Sequence, residues 1–170
     1  MRKLNVLKTV LDFFWVFSLI GVVALIIFVP FYLFSADFDI PVKIKGQEIK
    51  SQTVFSKIVV LINVISGLLF FYGIYLLRKV VKLFQKREIF NNEVIVNFNL
   101  IGKLIIVSSI MSSLSLYVFN VFERNNIGLS LDFASYDSVL ISISLGLFFM
   151  VISEIFKISK TMKEESELTI

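Results

Sequence analysis

The sequence predicts an all-α membrane protein, a bundle of four transmembrane helices, to which two outer loops add a small extracytoplasmic β cap. Of its 170 residues, 57% are hydrophobic and 18% are charged, whereas soluble domains average about 45 to 50% and about 25%. Four long apolar runs interrupt the charged residues, and each is close to the length that crosses a bilayer. We therefore expect one membrane domain over residues 1–170. Its predicted spans cover about residues 12–34, 58–77, 104–122 and 137–156.

The first apolar run, residues 13–34, holds 22 residues without a charge, of which 16 are Ile, Leu, Val or Phe. Each such side chain favours insertion by roughly 0.3 to 0.6 kcal/mol near the bilayer centre, so the run is expected to span the membrane. A cleaved signal peptide is the competing interpretation, because Arg2, Lys3 and Lys8 resemble its basic region. Signal peptides have only about 7 to 15 apolar residues, which favours a retained helix.

The second run, residues 58–77, is about 30 Å long as a helix and matches the hydrocarbon core. Beyond it, Val80, Val81 and Phe84 keep the spacing of one helical face, so this helix should project out of the membrane. The chain is then expected to turn near residues 86–90.

Asn91 is a good N-cap for the third helix, and Glu93 follows in its first turn. An apolar pattern continues from there into the third charge-free run, which predicts one helix over residues 92–122. The fourth run, residues 138–153, is shorter and is expected to use neighbouring residues at both ends. The acidic tail from residue 159 to 170 ends in apolar residues, and it is either a docking or degradation signal or a frayed end.

Both outer loops alternate apolar and polar residues, which is typical of short strands. In the first loop, Ile40, Val42 and Ile44 alternate in this way, Lys45-Gly46 is a plausible turn, and residues 48–50 return as a second strand. In the second loop the alternating residues are Ile127, Leu129, Leu131 and Phe133. Because isolated hairpins are marginal in water, we expect the two loops to pair into one cap over the bundle.

The distribution of basic residues predicts the orientation in the membrane. The N-terminus, the middle loop and the C-terminal tail together hold 12 of the 17 Lys and Arg residues, and the two outer loops hold 5. Positively charged loops stay in the cytoplasm, so both termini are expected there and the outer loops outside. A multi-pass protein of the plasma membrane is the simplest outcome.

The chain contains no Cys and no His. It therefore lacks thiol nucleophiles, the commonest general base near neutral pH and the usual ligands of structural zinc and haem. We expect no enzymatic activity, no cofactor and no metal site.

A basic cluster after the second span is the candidate surface for a partner or for lipid. Such a cluster attracts anionic headgroups by about 1 kcal/mol per charge, although membrane topology alone also requires it. Direct nucleic-acid binding is not expected, since a sequence pI of about 9.3 follows from this bias. The cluster comprises Arg78, Lys79, Lys82, Lys86 and Arg87.

Polar residues inside the spans are expected to join helices. Small and hydroxyl-bearing residues let helix backbones approach closely in membranes. The alternatives are a hydrophilic path through the membrane and a serine nucleophile. No span contains a His or Lys to activate a serine. The candidate packing residues are Asn63, Ser108, Ser112 and Ser115.

The chain resembles a bacterial family of four-helix membrane proteins known as domain of unknown function 2975. The resemblance rests on Phe90-Asn91-Asn92-Glu93, on Ile101-Gly102 and on the ending from Lys163 to Ile170. Family members often carry basic residues before the Ile-Gly pair, where this chain has Asn97 and Asn99. The resemblance implies a lipid or partner contact in this stretch, so Asn97 and Asn99 are included in the candidate surface. It implies no known activity.

Two functional hypotheses follow. The first is a non-catalytic regulatory protein that binds a cytoplasmic protein. Genes of the family often neighbour those of small transcriptional regulators, so the resemblance implies a partner of that kind. The second is a small transporter or channel subunit that uses the polar faces of the second and third helices. The absence of charge inside the spans favours the first.

Overall fold

The computed structural model describes residues 2–34, 42–44, 47–49, 53–124 and 139–168. Four helices in this part of the chain are long and apolar enough to cross a membrane, which confirms the predicted fold class and shows a multi-pass membrane protein. In chain order the elements are α1 (Arg2–Phe34), β1 (Val42–Ile44), β2 (Gln47–Ile49), α2 (Val54–Gln85), α3 (Asn92–Arg124) and α4 (Val139–Leu168).

The helices are longer than the membrane requires. With 30 to 33 residues each, they measure about 45 to 50 Å, against about 30 Å for the hydrocarbon core. The predicted continuation of helix α2 beyond residue 77 and the early start of α3 are both confirmed. In contrast, α1 begins ten residues before its predicted span, and α4 continues 12 residues beyond its own, so the fourth helix includes most of the tail.

Each helix packs mainly on its neighbours along the chain: α1 on α2, α2 on α3 and α3 on α4. Consecutive helices run in opposite directions, so the turn at residues 86–91 shares one end of the bundle with the start of α1 and the end of α4. We call this the hairpin end. The other end, where α1 connects to α2, is the loop end. Helices α1 and α4 therefore form the two edges of the arrangement.

A hydrophobic core fills the hairpin end, between the apolar faces of α2 and α3. Val80 and Val94 are each 0% exposed at its centre, and partly buried residues of α4 pack against them. The buried residues of this core are Leu76, Val80, Leu83, Val94, Phe98, Ile101 and Ile105.

The turn between α2 and α3 is held by backbone and side-chain hydrogen bonds. The backbone N–H groups of Arg87 and Glu88 donate to the carbonyls of Phe84 and Leu83, at 3.1 Å each. Asn91 caps α3 as predicted, since its Oδ1 accepts from the Glu93 backbone N–H at 3.0 Å. Arg87 has a φ of 63°, a left-handed conformation that costs an L-residue with a Cβ about 1 to 2 kcal/mol.

At the loop end, β1 and β2 form an antiparallel hairpin in which Val42 pairs with Ile49. Ile49 is buried and packs with Val59, Val60 and Phe119 of α2 and α3. The hairpin therefore covers this end of the bundle, as predicted for the first outer loop. The predicted turn at Lys45-Gly46 and the predicted strands of the second loop lie outside the described residues.

Helices α3 and α4 cross most closely at a pair of glycines. A Cβ added to Gly102 would collide with the backbone oxygen of Gly146 and lie 2.7 Å from Met150 Cγ. A Cβ at Gly146 would lie 2.7 Å from the Gly102 carbonyl oxygen. Only glycine at both positions lets the two backbones approach this closely, as small residues do between membrane helices.

Candidate functional site at the hairpin end

Two residues of the basic cluster form ion pairs with neighbouring helices of the bundle. Arg78 forms an ion pair with Asp12 of α1, and Lys79 forms one with Glu93 of α3. These contacts join α2 to both of its neighbours. The two cations therefore belong to the framework of the hairpin end rather than to its free surface.

Lys82, Lys86 and Arg87 remain exposed around the last turn of α2 and the turn that follows. Among the described residues, none of the three forms an ion pair with an acidic side chain. Three positive charges without an ion pair among the described residues thus lie within six positions of sequence at the tip of the hairpin, followed by the exposed Glu88. Such a surface attracts an anionic partner or anionic headgroups through long-range electrostatics.

Further polar contacts join the helices around this tip. Gln85 Nε2 donates to Asn5 Oδ1 of α1 at 2.9 Å. On the other side, Lys160 Nζ of α4 donates to Asn92 Oδ1 at 2.6 Å. Together with the ion pairs, these contacts connect every pair of consecutive helices at the hairpin end. The exposed cations therefore stand on a framework that all four helices support.

Four phenylalanines from three helices lie beneath the tip. Phe98 of α3 is the centre, with its ring centroid 5.6 Å from that of Phe156 and 6.0 Å from that of Phe149. Phe84 of α2 completes the group, at 5.7 Å from Phe156. Aromatic pairs at these separations contribute about 0.5 to 1.5 kcal/mol beyond the burial of their area.

Asn97 and Asn99 do not lie with the exposed cations. Asn97 is only 6% exposed, and Asn99 is half-buried. The buried atoms Asn97 Nδ2 and Asn99 Oδ1 have no hydrogen-bond partner among the described residues. A surface contact of the kind that the resemblance suggested for Asn97 is therefore excluded by its burial in this structure.

The polar residues of the spans contact one another between α2 and α3. Asn63 Nδ2 donates to Ser115 Oγ at 2.7 Å, and Asn63 Oδ1 accepts from Ser112 Oγ at 2.8 Å. About one turn along α2, Ser66 Oγ donates to the Ser108 carbonyl oxygen at 2.6 Å. These groups are satisfied within the bundle, and no catalytic base lies among them.

Several residues of the hairpin end were not identified from the sequence. Asp12 is the first residue of the predicted first span, and it pairs with Arg78 of α2. Ser153 Oγ donates to the Ile95 carbonyl oxygen at 2.7 Å and fixes α4 on α3. The available signal for Asp12 is an acidic residue at the same membrane edge as the basic cluster, which favours pairing.

Among the described residues, no group of three or more Cys, His, Asp and Glu side chains is arranged to hold a metal ion. The site is thus built from cations, amides and aromatic rings. This chemistry suits recognition by charge and shape.

Comparison with known proteins places the chain in a family. A family model described as "Protein of unknown function (DUF2975)" matches residues 10–170. The chain belongs to this family. The match to DUF2975 covers α1 from Val10 onward and every later helix, which confirms the resemblance. No curated protein and no solved structure matches the chain.

Proposed function

We propose that this DUF2975 protein is a non-catalytic interaction protein of the plasma membrane, and that its hairpin end lies in the cytoplasm and binds a soluble regulatory protein. The single observation that carries the proposal is the exposed group of Lys82, Lys86 and Arg87 on a tightly packed tip. A flexible basic loop would be enough to keep this end of the protein in the cytoplasm. A packed core beneath the charges supports a surface of defined shape.

The cytoplasmic placement rests on charge. The segments at the hairpin end carry 12 of the 17 basic residues of the chain, and retention of positive charge on the inner side would place both termini there. An acidic surface on the partner fits the exposed cations best, since complementary charge speeds association and selects partners.

The alternative, a transporter or channel subunit, has less support. Its path would use Asn63, Ser112 and Ser115, but these side chains hydrogen-bond one another between α2 and α3. Because these groups satisfy one another's hydrogen bonds, they support a role in packing α2 against α3. The four apolar runs, residues 13–34, 58–77, 104–122 and 138–153, also contain no charged residue of the kind that coupled transporters use.

Affinity purification of the detergent-solubilised protein from its own host tests the proposal. A bound soluble protein should be recovered with the natural chain and lost with the double variant Lys82→Glu and Lys86→Glu. Lys157→Glu is the matched control, because Lys157 is also exposed but lies on α4. Equal recovery with both variants, or recovery of no soluble protein with the natural chain, would contradict the proposal.

A further inference from the structure

One largely exposed face of α2 changes in chemistry along its length. Its side chains are apolar toward the loop end, tyrosine in the middle and lysine toward the hairpin end, and their spacing alternates between three and four residues, which keeps them on one side of a helix. Tyr72 and Tyr75 are 48% and 38% exposed. We call this set the α2 face; its members are Ile65, Leu68, Tyr72, Tyr75, Lys79, Lys82 and Lys86.

The adjoining helix α3 has a face with the same spacing. Val96 and Val107 on it are 61% and 46% exposed, and Lys103 between them is exposed as well. We call this set the α3 face; its members are Glu93, Val96, Leu100, Lys103, Val107, Ile110 and Leu114.

The two faces border each other, because Lys79 of the α2 face forms an ion pair with Glu93 of the α3 face. The two helices run antiparallel, so the apolar parts of both faces extend from this pair toward the loop end. Trp15 of α1 contacts Tyr75, with ring centroids 5.1 Å apart. Tyrosine and tryptophan concentrate where a membrane helix leaves the hydrocarbon for the headgroup layer. These aromatic residues therefore indicate the level of that boundary.

Lys103 lies at the level of the tyrosines. A Cβ added to Gly73 would lie 3.9 Å from Leu104 Cβ. The residues that precede these two in the chain, Tyr72 and Lys103, are therefore at similar depth. Along α3, Lys103 is ten residues, or about 15 Å, farther from the tip than Glu93. It forms no ion pair with any residue that the structure describes.

A lysine at this level requires an anion. Its charge is costly beside hydrocarbon unless it is paired or reaches the headgroups. Side chains on a helix lean toward the N-terminus of that helix, which for Lys103 is the direction of the hairpin end. Its ammonium group therefore extends toward the headgroup layer, as lysines near the ends of membrane helices do. The phosphate of a phospholipid is the anion that the membrane itself supplies there.

The order of groups on this surface matches the order of groups in a phospholipid. Leu68 and Ile110, 39% and 38% exposed, lie on the apolar side, where acyl chains run. The tyrosines and Lys103 lie at the level of the phosphate. Lys82 and Lys86 follow on the side of the headgroup. Because these lysines repel a headgroup that carries its own cation, such as choline, an anionic headgroup fits best.

We propose that the surface between the α2 face and the α3 face binds one anionic phospholipid, whose phosphate pairs with Lys103. Glu93, the acidic member of the two faces, is paired with Lys79 and does not oppose the phosphate. The site does not depend on the soluble partner proposed above.

Quenching of tryptophan fluorescence by brominated lipid tests this site. Trp15→Phe removes the single natural tryptophan, and Leu68→Trp places a new one beside the proposed acyl chains. The protein is reconstituted in phosphatidylcholine vesicles that contain an increasing fraction of brominated phosphatidylglycerol. Brominated phosphatidylcholine serves as the reference lipid. We expect an apparent affinity about five-fold higher for phosphatidylglycerol, as one lysine near an anionic headgroup provides.

Lys103→Gln in this chain should remove most of the preference for phosphatidylglycerol. Lys157→Gln is the matched control, because it removes the same charge from an exposed position on α4; it should leave the preference intact. Equal affinity for both lipids before any lysine is changed, an unchanged preference in Lys103→Gln, or an equal loss in Lys157→Gln would overturn the proposal.

Native mass spectrometry covers the case in which the tryptophan variant fails to fold. The natural chain and Lys157→Gln, reconstituted in the same two lipids without bromine and extracted in mild detergent, should retain a bound phosphatidylglycerol. Lys103→Gln should retain it about five-fold less. Equal retention by the three chains would also count against the site.

Discussion

Asn63 and Asn97 are the same residue type in two adjoining helices, yet their amide groups have opposite surroundings. Asn63 uses both amide atoms in hydrogen bonds to Ser112 and Ser115. Asn97 Nδ2 is buried without a partner among the described residues. A buried amide without a hydrogen bond costs about 1 to 3 kcal/mol, whereas a bonded one stabilises.

Leucine, which has nearly the shape of asparagine, should therefore have opposite effects at the two positions. We expect Asn97→Leu to raise the free energy of unfolding by on the order of 1 kcal/mol and Asn63→Leu to lower it by a similar amount. Thermal unfolding in detergent, followed by circular dichroism, measures both. A loss of stability in Asn97→Leu would mean that the amide has a partner or a role that burial alone does not reveal.

Arg87 combines an unfavourable backbone conformation with an exposed positive charge. Glycine adopts a φ of 63° without steric cost, so Arg87→Gly should stabilise the turn by about 1 kcal/mol. Hydrogen exchange at the Arg87 and Glu88 amides would report the change. Increased protection together with weaker partner binding would indicate that arginine is present for recognition; decreased protection would refute the backbone argument.

Among the elements, α3 and α4 depend on the glycine crossing. Gly102→Ala should force them apart, because the added methyl group meets the Gly146 backbone oxygen, and overpacking of this kind costs about 1 to 3 kcal/mol. Gly67→Ala is the control, since an added Cβ there meets nothing within 4 Å. It should be neutral or slightly stabilising, given the higher helix propensity of alanine. Equal thermal stability of the two variants would show that the close crossing is not required.

The hairpin of α2 and α3 should behave as a folded element beyond the membrane. Backbone amides from residue 80 to 84 and from 98 to 101 are expected to be protected in hydrogen exchange, because they belong to helices with a shared core. Asn91→Ala removes the cap of α3 and should cost on the order of 1 kcal/mol locally. Rapid exchange across both segments in detergent and in lipid would contradict a packed tip.

Much of this element was accessible from the sequence, since periodic apolar residues and an N-cap are local signals. The extension of α4 to Leu168 was not. Its polar composition is typical of a tail, although Lys160 with Glu164 and Lys163 with Glu167 form ion pairs at the i,i+4 spacing of a helix. The contact of Lys160 with Asn92 of α3, which also supports helix there, cannot be seen in the sequence spacing. The burial of Asn97 was equally inaccessible, because it depends on how the neighbouring helices pack on α3.

For the whole molecule, the charge distribution predicts one orientation. Reporter fusions after Lys50 and Asn126 should read as extracytoplasmic and a fusion after Phe90 as cytoplasmic, because the hairpin end holds most of the basic residues. The three fusion points sample both connections of the loop end and the turn of the hairpin end. The reverse pattern would place the exposed cations outside the cell and remove the basis for a cytoplasmic partner.

The unbroken length of α2 and α3 has a mechanical consequence. Neither helix contains a proline, and their shared core extends to Leu83 near the turn, so we expect the pair to tilt as one rigid unit. For a rod about 48 Å long, a tilt of about 10° displaces the tip by about 8 Å. Membrane helices tilt to match bilayer thickness. Stretching or thinning of the bilayer would thus be converted into a sideways swing of Lys82, Lys86 and Arg87.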